Sequence, residues 1–282
     1  MRVLLVPNPA NPRSVEATVR LCARLAASGH QPVLARDDAD ACGVAGFGVS
    51  RAEIGELGLA FALGGDGTIL KAVHLLGASD VPVLGINLGR LGFLSGADGE
   101  ALDAVVEAAL AGEGAIERRQ TLEAAITVGG RTAGEYRALN EIFVGRAPTA
   151  RVVELSVSVN GTQVGGYLCD GMVVATPTGS TAYALSVGGP LVSPDVRGMI
   201  IVPVAAHTLS ARPIVAGPGD IIRIACPNPG RADACVAVDG DHLPCRASLD
   251  SVEVRVGDHD VRLMRFDGRD FYEVLSESFL GG

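Results

Sequence analysis

The segment Gly64-Gly65-Asp66-Gly67-Thr68 sets one carboxylate among three glycines, directly after the apolar run Phe61-Ala62-Leu63. Glycines let backbone N–H groups close around a phosphate, whereas a carboxylate there repels one unless it serves a metal or takes a hydroxyl proton. Phosphoryl transfer reconciles the two. A strand, a tight turn and a helix opening at Thr68 also aim a positive dipole end at one spot. The chain has neither the Walker spacing Gly-x-x-x-x-Gly-Lys-Ser/Thr nor the dinucleotide fingerprint Gly-x-Gly-x-x-Gly, so the loop belongs to neither of those phosphate sites.

A second candidate is Asn140-Glu141, between the strand-like runs Tyr136–Leu139 and Ile142–Val144. In an alternating strand these side chains point to opposite faces, so both serve one site only if the strand bends or ends there. Together they offer donors and acceptors suited to a ribose diol or an amide edge. The third candidate runs from Asp170-Gly171 through Thr176-Pro177-Thr178-Gly179-Ser180-Thr181-Ala182-Tyr183 to Ser186. Here a buried strand enters a hydroxyl-dense loop and then a short helix near Thr181, which supplies neutral hydrogen bonds to a polar ligand. Ser180 is no hydrolase nucleophile, because Thr178 stands where the Gly-x-Ser-x-Gly elbow needs glycine.

The elements that position these residues fall into two styles. Over residues 1–118, strands at Val3–Val6, Pro32–Ala35, 58–63 and Val81–Ile86 alternate with helices. The first helix has Ser14 as its expected N-cap and Gly29 as its stop; the others span Thr68–Leu76 and Gly99–Ala111. Such βαβ repeats predict a Rossmann-like parallel α/β domain whose ligand crevice lies at the carboxyl ends of the strands, where Gly64–Thr68 falls. From 119 to 267 the pattern is antiparallel and β-rich, with strand-like stretches at Glu123–Val128 and Arg131–Val144 flanking Gly129-Gly130, a turn at Asn160-Gly161 and a last strand at 261–266. Residues 268–282 are expected to form a C-terminal segment open to either domain, including packing back on the N-terminal one.

Composition narrows the partners. Net charge is −9, no Lys/Arg block occurs and Trp is absent, which argues against a nucleic-acid partner. No apolar run suits a signal peptide or a membrane span, so a cytoplasmic protein is expected. The six cysteines form no Cys-x-x-Cys pair and the five histidines are scattered, which points to reduced thiols and no protein-held metal centre.

The chain resembles the NAD kinases in Gly64–Thr68, Gly85–Leu94, Asn140-Glu141, the Asp170–Pro190 stretch and His207–Pro213. Gly64–Thr68 alone is shared with diacylglycerol, sphingosine and phosphofructo-kinases, whereas Thr176–Tyr183 is specific to NAD kinases among them. The resemblance implies transfer of a terminal phosphate from ATP or polyphosphate to the 2'-hydroxyl of the adenosine ribose of NAD, giving NADP. By matching position, Asp66 orients or accepts the hydroxyl proton, and Gly64, Gly65, Gly67 and Thr68 shape the donor phosphate loop. Asp66 and Gly67 also border the acceptor. Asn140, Glu141, Asp170, Thr178, Thr181, Ala182, Tyr183 and Ser186 bind NAD. Lys71, one turn into the helix, is within reach of donor phosphate as a point charge. Mg2+ is expected through substrate phosphates and water. Relatives form dimers and tetramers, with pockets completed by a neighbouring subunit. Two other readings share the loop: a lipid or sphingoid-base kinase, for which no lipid-facing apolar segment stands out, and a non-catalytic NAD(P) sensor, against which Asp66 argues.

Overall fold

The structure, a computed structural model, describes residues 1–89, 92–146, 152–227, 234–243, 249–266 and 268–280. It divides into two compact units, Met1–Arg118 with Val261–Gly282, and Arg119–Asp260.

The first unit opens with β1 (Arg2–Pro7), α1 (Pro12–Ala27), β2 (Gln31–Ala35), α2 (Arg36–Ala41), β3 (Gly48–Val49), β4 (Leu59–Leu63), α3 (Asp66–Leu76), β5 (Val83–Asn87), β6 (Ala97–Asp98), α4 (Leu102–Leu110) and β7 (Ala115–Arg119). Every residue of β4 and β5 is buried, which is why they read as unbroken apolar runs rather than alternating ones. The strands β3-β2-β1-β4-β5 lie side by side and pair in parallel. α1 and α4 pack on one face, sharing a core with Leu5, Phe61, Leu84 and Ile86. On the other face Ile69 of α3 presses on Gly85, where a Cβ would collide with its Cδ1. Strand order reverses between β1 and β4, so their carboxyl ends, paired at Pro7 and Leu63, open the crevice of a doubly wound sheet.

The caps differ from the sequence reading. α1 is capped by Asn11, whose side chain accepts the Arg13 N–H, with Pro12 as first helical residue. Ser14, expected as the cap, is buried inside the helix; its hydroxyl donates to Leu63 O at 2.6 Å and accepts the Asn8 N–H at 2.8 Å. It ties α1 to the end of β4 instead. α3 begins at Asp66, two residues earlier than Thr68, so the carboxylate sits in the first turn of the helix and not in a loop before it.

The second unit contains β8 (Leu122–Val128), β9 (Arg131–Ala138), β10 (Glu141–Arg146), β11 (Val153–Val159), β12 (Thr162–Cys169), β13 (Gly171–Ala175), α5 (Tyr183–Ser186), β14 (Met199–Val204), β15 (Ile214–Ala216), β16 (Ile222–Ala225), β17 (Ala234–Val238), β18 (Asp241–His242) and β19 (Leu249–Val256). Two six-stranded sheets, β15-β14-β13-β10-β17-β18 and β12-β11-β16-β19-β8-β9, enclose one core. Alternate residues supply it: Ile142, Val144, Met172 and Val174 from one sheet, Leu155, Val157, Val252 and Val254 from the other. The outer face of β13 and β14 is covered in turn by Ala184 and Val187, so β13 is buried throughout.

The chain then returns to the first unit through β20 (Val261–Arg265) and α6 (Phe271–Leu280). β20 pairs in parallel with β5, Leu263 opposite Val83, and lies between β5 and β7. The sequence reading had counted 261–267 with the β-rich domain. The last strand instead fills a place inside the parallel sheet, where Val261, Leu263 and Met264 are buried.

Candidate active site

In the first unit, the carboxyl end of β4 turns through Gly64 and Gly65 into α3. Gly64 is glycine because a Cβ there would strike the Thr68 hydroxyl and approach Asn8. Gly65 and Gly67 have no such reason: neither carries a positive φ and an added Cβ at either meets open space. The fold leaves room beside Asp66 that it does not itself use. Asp66 is fixed by backbone, with Oδ2 accepting the Phe93 N–H at 3.0 Å and Oδ1 accepting the Leu94 N–H at 3.2 Å. Gly92 precedes these donors, and a Cβ there would coincide with the Asp66 carboxylate. Charge at the first turn of α3 is further favoured by the helix dipole.

In the second unit, the run 131–144 is not one strand. β9 ends at Ala138 and β10 begins at Glu141, leaving Leu139 and Asn140 as a break. Both sides of the break are held. The Asp239 carboxylate accepts the N–H groups of Leu139, Asn140 and Glu141 at 2.8, 2.7 and 3.1 Å. The Thr176 hydroxyl donates to Leu139 O at 2.6 Å, and the Thr176 N–H donates to Asn140 O at 2.8 Å. Gly179 lies so close that a Cβ would strike Asn140 O. The condition set by sequence, that Asn140 and Glu141 can share a site only where the strand ends, is met.

Glu141 is 7% exposed, and its Oε2 has no hydrogen-bond partner among the described residues. Burial pushes its carboxyl up to about 7, the negative charge of Asp239 pushes the same way, and the Tyr183 N–H pulls it back in part. Tyr183 starts α5 with its ring edge-on to Phe143, centroids 5.6 Å apart. Its hydroxyl is shifted upward by burial and by the nearby charges of Asp170 and Glu141. Asp170, at the start of β13, accepts from Arg146 Nε at 2.9 Å. The structure thus brings Glu141, Asp170 and Tyr183 into one electrostatic neighbourhood.

The other predicted residues divide. Thr178 is buried and its carbonyl accepts the Thr181 hydroxyl at 3.2 Å. Ser186 is exposed at the end of α5, and Ala182 accepts the Leu185 N–H as that helix starts. Ser180 is consumed by the fold, bonding both N–H and C=O of Val192. Lys71 points to α2, where its ammonium pairs with the buried carboxylate of Asp38. His207 is exposed, with its N–H on Leu168 O. Among the described residues no group of three His, Cys, Asp or Glu side chains could hold a metal. No helix among them is long and apolar enough to cross a membrane.

Three groups that hold the candidate residues in place were not singled out from sequence: Asp239, Thr176 and the Gly92–Leu94 backbone around Asp66. The Asp239-Gly240 dipeptide marks a turn but not what its carboxylate faces, and nothing marks backbone donors in a sequence.

The model of the ATP-NAD kinase N-terminal domain matches residues 49–114, and that of the ATP-NAD kinase C-terminal domain matches residues 139–266. The NAD kinase of Symbiobacterium thermophilum is 40% identical over 283 residues, covering 98% of each chain. That of Mycobacterium tuberculosis is 40% identical over 221 residues, covering 78% of this chain and 72% of the other. A yeast NADH kinase complexed with NADH superposes with a TM-score of 0.89 at 25% identity, over 100% of this chain and 87% of that one. An NAD kinase from Archaeoglobus fulgidus in complex with ATP shares the fold, with a TM-score of 0.74 over 98% of each chain and 24% identity.

Proposed function

The chain belongs to the NAD kinase family, and from that premise we propose which of its groups carry out the transfer of phosphate to NAD. Asp66 is the group that orients the adenosine 2'-hydroxyl and takes its proton late in the reaction. An aspartate is a weak base at an ordinary pKa of about 3.9, so its contribution is positional first. The observation that carries this role is the pair of N–H bonds from Phe93 and Leu94, one to each oxygen of Asp66. They hold the carboxylate in one orientation beside glycines that the fold does not need.

Gly64, Gly65, Gly67 and Thr68 take the donor phosphates at the opening of α3, where backbone N–H groups and the helix dipole favour an anion. ATP is the donor, in line with the ATP-NAD kinase family models; we extend this to polyphosphate, which presents the same terminal phosphoryl group. A bound Mg2+ would be held by donor oxygens and water, with Asp66 the one carboxylate of the loop, and would supply positive charge to offset the donor oxygens. Lys71 is left with Asp38 rather than with the donor. Asn140, Glu141, Asp170 and Tyr183 bind NAD, with Thr178, Thr181, Ala182 and Ser186 along the same loop. We place the protein in the cytoplasm, because Cys22, Cys42 and Cys169 are buried thiols and not disulfides. We also propose a homodimer or homotetramer, which light scattering tests.

The assay is incubation of pure protein with NAD, Mg2+ and either ATP or polyphosphate, measuring NADP. Wild type makes NADP with both donors; absence of product with both overturns the reading. Asp66→Asn lowers kcat by roughly a factor of 100 or more while KM for NAD stays within about threefold. A variant as active as wild type removes Asp66 from the mechanism.

A further inference from the structure

Asp239 occupies the turn between β17 and β18 with φ of 49°, a left-handed backbone that a non-glycine residue adopts at a cost. The return on that cost is its carboxylate. It accepts three successive N–H groups, those of Leu139, Asn140 and Glu141, and the Asp239 N–H donates back to Glu141 O at 3.0 Å. These backbone groups lie where β9 has ended and β10 only begins. A carboxylate meeting three of them supplies what a strand partner otherwise would.

We propose that Asp239 is the positioning residue of the acceptor site: it fixes the break between β9 and β10 so that Asn140 and Glu141 both serve NAD. The inference rests on the reading of Asn140 and Glu141 as acceptor groups. An independent sign that this corner awaits a ligand is Glu141 Oε2, buried and without a hydrogen-bond partner among the described residues. Thr176 and Gly179 close the corner on its carbonyl side, so without Asp239 it would hinge about one remaining edge.

Burial is the main cause that raises the carboxyl of Glu141, and the charge of Asp239 adds to it. Facing Glu141 are the Asp239 carboxylate from the β17–β18 turn and the Tyr183 N–H from α5, and Tyr183 lies in turn in the field of Asp170. Replacing Asp239 by a neutral residue removes one of the two influences that raise Glu141.

The test is steady-state kinetics of Asp239→Asn across pH, with Asn140→Ala and Glu141→Gln as controls. Asn tolerates a left-handed φ and keeps the size, but it offers one acceptor oxygen where the carboxylate offers two. We expect KM for NAD to rise on the order of tenfold, about one displaced substrate hydrogen bond, with KM for ATP unchanged. The pH midpoint of KM for NAD moves lower than in wild type, because one of the two influences that raise Glu141 is gone. An unchanged KM for NAD overturns the proposal, as does a matched rise for NAD and ATP with loss of thermal stability. If the control variants leave KM for NAD unchanged, the acceptor reading itself has failed; if they raise it and Asp239→Asn does not, only the role of Asp239 has. Amide exchange on wild type needs no variant: the N–H groups of Leu139, Asn140 and Glu141 exchange as slowly as those of β10, and rapid exchange overturns the clamp.

Discussion

Gly92 has no side chain because the Asp66 carboxylate occupies the place where its Cβ would be. The two residues are 26 positions apart and belong to different motifs, yet one is shaped around the other. Glycine is required here by contact and not by conformation, since Gly92 has no positive φ.

Gly92→Ala therefore acts first on Asp66. The methyl group pushes the carboxylate off the Phe93 and Leu94 N–H groups, and kcat falls by about a factor of 100 through misplacement. KM for NAD changes less than threefold, and unfolding free energy drops by roughly 1–3 kcal/mol from the crowding. Kinetics with calorimetry reads both; full activity in Gly92→Ala would show that the orientation of Asp66 does not matter.

Glu141 makes stability depend on pH. Its carboxyl titrates near 7 in the folded chain against a usual 4.5. Between these values the folded state holds the proton that the unfolded chain has released, so stability falls as pH rises from about 4.5 to about 7. The loss is on the order of 3 kcal/mol. Glu141→Gln abolishes it, so the variant is more stable than wild type at pH 8 while binding NAD less well. Thermal melts at pH 5 and pH 8 measure the difference, and equal pH slopes for the two proteins would refute it.

Tyr183 is 39% exposed and meets Phe143 edge-on. If its ring is what NAD uses, Tyr183→Phe keeps KM for NAD within about twofold, and Tyr183→Ala raises it roughly tenfold, the worth of one aromatic contact. Equal effects of the two substitutions would move the role from the ring to the hydroxyl.

Lys71 and Asp38 form a half-buried pair, the lysine side chain 43% exposed and the aspartate side chain 6%. Lys71→Met strands a buried carboxylate, but solvent reaches the lysine, so the cost is about 1 kcal/mol rather than the larger figure for a wholly buried pair. Turnover changes less than fivefold. Asp38→Asn in the same chain restores most of the stability, measured by urea denaturation. A loss of ATP saturation in Lys71→Met would return the lysine to the donor.

The parallel order of the first unit was legible because β1, β4 and β5 are apolar at nearly every position, a pattern that two covered faces impose. The strand-to-helix junction that carries Asp66 was legible as well, since an apolar run ending in two glycines marks it. Ser14 misled because a hydroxyl near a helix start reads as a cap, whereas Pro12 had already placed that start and Leu63 claimed the hydroxyl. β7, with its charged Ala115–Arg119 sequence, carries no apolar pattern and was missed. β20 was found but assigned to its sequence neighbours; only pairing with β5 shows where it belongs. Asp239 escaped because an Asp-Gly turn looks alike whether its carboxylate faces water or three N–H groups.

The return of β20 to the parallel sheet has a consequence in time. During synthesis the strands β1 to β5 emerge first, but the position between β5 and β7 stays vacant until residue 261 is made. The whole β-rich unit is translated in between and is free to fold first, as a contiguous insertion. At translation speeds of roughly 5–20 residues per second, the gap in the sheet persists for on the order of ten seconds. In that interval β5 is open at its Val83 end, beyond the short pairing of Ile86 and Asn87 with β6, so a chain stalled before Val261 exposes a strand edge that another copy can pair with.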